Sequence, residues 1–141
     1  MSWIVRNIHR IMLVSGALTF TVVYALIAPE AALRATFGES VSGAVADVVV
    51  RNWGALVGLI GLMLVYGARR PEVRPLVLVV AGTSKAIFAA LVLSHGGLFL
   101  SHQAGIAVAV DLMWVGVFTA YLVASRKVAA RAASIDAAPS V

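Results

Sequence analysis

The 141-residue chain contains no cysteine. Disulfide relays, thiolate metal sites and thiol nucleophiles are thereby excluded. Charge is scarce too: 12% of residues are charged, about half the ~25% usual in soluble domains. A soluble chain with so little polar surface would expose large apolar patches and aggregate. There is no long basic run and no basic–aromatic pattern. The net charge of +5 therefore does not read as a nucleic-acid interface, and no nucleic-acid partner is expected.

What is present is apolar. Hydrophobic residues make up 62% of the chain, and the mean hydropathy is +1.00. Lipid is the solvent that suits this composition, and the length allows one domain, residues 1–141. Four apolar stretches punctuated by charge, Pro and Gly predict helices at about 11–28, 41–68, 75–95 and 103–125. The first, Ile11 to Ala28, is charge-free and spans ~27 Å at the helical rise, close to the thickness of a bilayer core. Arg6 and Arg10 before it give it some likeness to a secretory signal, but Leu26 and Ala28 make a poor cleavage pair. It is read as an uncleaved span. Ala31 to Phe37 is expected to form a short interfacial helix stopped by Gly38, and Ala132 to Val141 to fray.

Lys and Arg fall unevenly between the connections. Arg6 and Arg10, then Arg69, Arg70 and Arg74, then Arg126, Lys127 and Arg131 lie on one side; only Arg34 and Arg51 lie on the other. Eight against two predicts a multi-pass protein with both termini cytoplasmic; the inner membrane is the expected location. Short links between the spans predict an all-α, antiparallel four-helix membrane bundle. Gly54, Gly58 and Gly61 share a face of the second span, and Gly82, Ala86 and Ala90 one of the third. Such faces let helices approach closely, within this chain or against another copy.

Two ions interrupt the apolar spans. Lys85 lies ~14 Å and Asp111 ~9 Å below the same membrane edge, a difference within reach of a lysine side chain. A lone ion at such depth costs ~2.5–3.5 kcal/mol, so each is expected to face inward and find a partner. Helical side chains lean toward their own N-terminus, which would draw the two apart along the membrane normal. Ser84, Thr83, Thr21 and Tyr24 are candidates to bridge the gap. Asp47 and Arg51 are spaced to pair with each other, and Arg51 is a second candidate partner for Asp111. Trp114, three residues past Asp111, is placed to wall a pocket. The candidate polar cluster is thus Lys85, Asp111, Arg51, Asp47 and Trp114. Such a pair either fixes helix register alone or marks a functional site. His95 and His102, without a nearby carboxylate, do not make a convincing metal site, and no catalytic set is recognised.

Arg51-Asn52-Trp53-Gly54, Ser84-Lys85, Asp111-Leu112-Met113 and Tyr121-Leu122 resemble short motifs of small bacterial four-helix membrane proteins of the DoxX-like kind. The resemblance covers about half the chain. It implies a membrane accessory or ligand-binding role linked to quinones or redox complexes, and it brings no catalytic residues.

The function expected is a non-enzymatic accessory subunit, or a bundle binding an apolar ligand such as a quinone or a lipid. Its partners would be the bilayer, further copies of itself or a larger membrane complex. The rival readings are a proton-coupled transporter or channel titrating at Asp111, and a membrane enzyme using Asp111 and Lys85 as acid and base.

Overall fold

The computed structural model of the chain describes residues 2–136. Every regular element among them is helical. The order is α1 (Ser2–Phe20), a 3₁₀ turn (Thr21–Val23), α2 (Tyr24–Ile27), α3 (Pro29–Phe37), α4 (Ala44–Arg69), α5 (Arg74–Ser94) and α6 (Gln103–Asp136). Four stretches are long and apolar enough to cross a membrane: Trp3–Ile27, Ala44–Arg69, Arg74–Ser94 and Gln103–Val128.

Local chemistry sets the breaks. Thr21 hydrogen-bonds back to the Leu18 carbonyl at 2.6 Å, a contact that bends helices. The β-branched Val22 and Val23 follow, and the helix tightens there to 3₁₀. α2 ends because Pro29 drives Ala28 out of the helical region, to φ −129° and ψ 72°. The same proline opens α3, where its missing N–H costs nothing. Gly38 closes α3 in the left-handed conformation, φ 79°, its N–H donating to the Arg34 carbonyl. Pro71 ends α4 as Pro29 ends α2, holding Arg70 extended at φ −123° and ψ 91°, and Arg74 reaches back to the carbonyls of Gly67 and Ala68 at the last turn of α4.

α1 and α6 outrun the predicted spans. The charges that bounded the predicted spans do not end the helices: Ile8, among the polar residues before the first span, is 2% exposed and packs in the largest core cluster. α6 likewise continues past Arg126 to Asp136, through the first part of the tail expected to fray. The remainder of that expectation, 137–141, lies outside the described residues.

The helices associate as two couples. α1 packs most extensively on α4, and α5 on α6. Along the first couple Gly54 meets Ala25 and Leu26, Gly58 meets Val23, Gly61 meets Phe20 and Gly16, and Gly67 meets Met12. A methyl group added at Gly61 would stand 2.6 Å from the Phe20 nitrogen and 2.8 Å from the Gly16 carbonyl, so only glycine permits this backbone approach. The glycine face of α4 is thus used within the chain. On α5, Gly82 faces Phe118, while Ala86 and Ala90 are exposed.

One cluster joins the couples. Ile8 and Met12 of α1, Leu64 and Ala68 of α4, Val77, Leu78 and Ala81 of α5, and Trp114 and Phe118 of α6 fill the half nearer the 70–73 turn. In the other half the cores are separate. Ala25, Ala32, Leu33 and Val50 form one among α2, α3 and α4; Ala89, Val92, Ala104 and Val108 form the other between α5 and α6. Phe37, at the end of α3, packs against both. Its ring lies 6.2 Å from Trp53 and 5.4 Å, edge to face, from Phe99.

Candidate functional site

Between the couples, in the half without a shared core, lies a cleft of about 860 Å³. Leu18, Thr21 and Tyr24 line one wall, Trp53 and Ile60 the next, and Phe88 and Ile106 the facing side. Ala32, Ala35 and Thr36 of α3 lie at one end. At the other end, where the shared core begins, are Thr19, Lys85, Asp111 and Trp114. Trp114 belongs to both regions: it lines the cleft and packs on Phe118, ring to ring at 6.1 Å, in the core beyond.

Lys85 Nζ lies 2.6 Å from Asp111 Oδ1. The side chains are 9% and 16% exposed, a burial at which each ion depends on the other. The ammonium also donates to Thr19 Oγ1 at 3.1 Å. α1 and α5 make no close backbone approach, so the lysine side chain itself spans the interior between them. That length also closes the gap expected from the opposite lean of the two side chains, and the pair meets directly, without a bridging group. Of the residues considered as bridges, Ser84, Thr21 and Tyr24 line the cleft and Thr83 is exposed.

The five residues grouped by sequence divide in two. Lys85, Asp111 and Trp114 come together at the cleft. Arg51 and Asp47 form their own pair, Nε to Oδ2 at 2.8 Å, about half exposed. Arg51 Nη1 also donates to the carbonyls of Leu26 and Ile27. The reason for the separation is local: the four-residue spacing presents Asp47 to Arg51, and the end of α2 presents carbonyls that need a donor. Asp47 lines a shallow groove beside Pro29 and Glu30, apart from the cleft.

Sequence reasoning missed Thr19. A signal existed: Ile8, Met12, Ser15 and Thr19 recur at helical spacing on one buried face, and two hydroxyls on that face need partners. Thr19 has Lys85; Ser15, fully buried, has no hydrogen-bond partner for its hydroxyl among the described residues. The histidines do not converge. His95 Nδ1 sits 2.9 Å from the Leu91 carbonyl and its ring leans on Phe99, whereas His102 abuts Gly38. Among the described residues no three of His, Cys, Asp and Glu are placed to hold a metal ion.

The arrangement offers an apolar chamber ending on a neutral pair of ions. It can bury a hydrophobic body and hydrogen-bond a polar head. Comparisons with family models, curated proteins and solved structures gave no match to this chain.

Proposed function

We propose that this protein is a non-enzymatic membrane bundle that binds a lipid-soluble ligand between its helices, alone or as an accessory subunit of a larger complex. In this reading the four apolar helices cross the inner membrane of a bacterium as an antiparallel bundle with both termini cytoplasmic. The descending order of the contacts that Gly54, Gly58, Gly61 and Gly67 make along α1 and α2 supports opposite directions for these neighbours. Val48, Leu56, Leu59 and Leu76, outside the cleft and each more than half exposed, support a lipid environment. The eight-to-two distribution of Lys and Arg supports the orientation.

The observation that carries the ligand reading is the cleft of about 860 Å³ ending on the Lys85–Asp111 pair. Its size falls within the ~300–1,000 Å³ of small-molecule sites, and its mostly apolar walls with a few converging polar groups match their usual chemistry. The DoxX-like resemblance of the Ser84-Lys85 and Asp111-Leu112-Met113 segments points toward the same ligand class.

The test is extraction and mass spectrometry of the protein purified in a mild detergent, beside an Ala107→Trp variant. Ala107 lines the cleft, and an indole there fills it. A lipid-soluble compound retained by the wild type and lost from a folded variant supports the proposal. Equal retention by both, or none in either, ends it.

A further inference from the structure

The ion pair at the end of the cleft has hydrogen-bonding capacity left over. An ammonium carries three donors. Lys85 commits one to Asp111 Oδ1 at 2.6 Å and one to Thr19 Oγ1 at 3.1 Å; among the described residues the third meets no side-chain or carbonyl acceptor. Asp111 Oδ1 takes the lysine, and Oδ2 accepts from no described residue. The two residues at the end of the chamber therefore keep one donor and one acceptor uncommitted among the described residues.

Charge narrows the choice further. Among the described residues that line the cleft only Lys85 and Asp111 are charged; Thr36, Ser84 and Gln103 supply neutral polar groups. The pair is already balanced. An anionic or cationic head would leave a net charge in a site of low polarity, where an uncompensated ion is strongly disfavoured. A neutral head that both accepts and donates satisfies Lys85 and Asp111 together at no such cost.

We propose that the cleft selects neutral amphiphiles: an apolar body bearing a hydroxyl or phenol-type head that takes a hydrogen bond from Lys85 and gives one to Asp111 Oδ2. It discriminates against carrying a formal charge on the same body. This inference rests on the cleft being a ligand site, and the experiment separates the two ideas.

Trp53 and Trp114 line the cleft, so a brominated chain bound there quenches their fluorescence. A Trp3→Phe background removes the remaining tryptophan. The protein in lipid nanodiscs is titrated with dibrominated octadecanol, dibrominated octadecyl sulfate and dibrominated octadecyltrimethylammonium, each compared at equal mole fraction in the bilayer. Saturable quenching by the alcohol, reversed by unbrominated octadecanol, is expected, with both charged probes at least about tenfold weaker. Asp111→Asn leaves Lys85 without its counter-ion and should turn the preference toward the sulfate. Quenching that unbrominated octadecanol does not reverse, for every probe, overturns the ligand site itself. Saturable binding in which either charged probe equals or exceeds the alcohol overturns the selectivity alone. The wild-type series decides this even if Asp111→Asn does not fold.

Discussion

Thr19 and Lys85, 66 positions apart in the chain, share a hydrogen bond that crosses the interior between two helices whose backbones do not otherwise approach. With Asp111 as the third member, this contact ties α1 to the α5–α6 couple at the level where the shared core gives way to the cleft.

Removing the cation alone should therefore be costly. Lys85→Met leaves a buried carboxylate without a partner, and a loss of about 3–5 kcal/mol is expected. Adding Asp111→Leu should recover most of it, because two apolar side chains leave no ion to strand. Equilibrium unfolding in mixed micelles measures both. A single variant as stable as the wild type would mean that the pair contributes nothing to the fold.

Two glycine substitutions should differ sharply. Gly61→Ala forces apart the backbones of α1 and α4, where the added carbon would stand 2.6 Å from the Phe20 nitrogen; overpacking of this kind costs about 1–3 kcal/mol. At Gly82 the nearest atom is Phe118 Cδ2 at 3.8 Å, an ordinary contact. Gly82→Ala should be neutral or slightly stabilising, since alanine favours the helix. Thermal unfolding of both in the same detergent distinguishes them, and equal effects would contradict the packing described.

The helices were legible in the sequence because apolar length and Pro–Gly punctuation act locally. Pro29, Gly38, Pro71 and Pro75 each fall at or beside a helix boundary. Similar depth put Lys85 within reach of Asp111, since the rise per residue is nearly constant, but the direct contact without a bridge was not legible, because it depends on how far the lysine side chain extends. Thr19 was not legible, because reaching it depends on which helix stands diagonally opposite Lys85. The division of the polar residues into two groups was also hidden: Arg51 is held by carbonyls freed at the end of α2, and backbone groups carry no letter in the sequence. The cleft arises from the separation of two helix couples, which no single helix encodes.

Ser15 offers a test in the opposite direction. Its hydroxyl is buried and unpartnered among the described residues, and such a group costs about 1–3 kcal/mol relative to a satisfied one. Ser15→Ala should raise stability by about 1 kcal/mol in the same unfolding assay. A loss instead would indicate that a buried water satisfies the hydroxyl.

The lack of native cysteine makes the proposed orientation directly measurable. Single cysteines at Ser42, in the connection before α4, and at Ser134, near the end of α6, report the two sides. A membrane-impermeant maleimide should label Ser42→Cys in intact cells and Ser134→Cys only after permeabilisation. The reverse pattern would invert the topology, and labelling of both in intact cells would refute the three crossings that separate them.

A molecule filled at one end and hollow at the other does not resist compression evenly. Side chains at native density yield little to external force, whereas walls separated by a void can move together. In the bilayer proposed above, lateral pressure from acyl chains should thus be felt chiefly around Trp53, Phe88 and Ile106, while Leu64 and Leu78 hold their spacing. The capacity of the chamber would then vary with the lipids in which the protein sits, even with every residue unchanged.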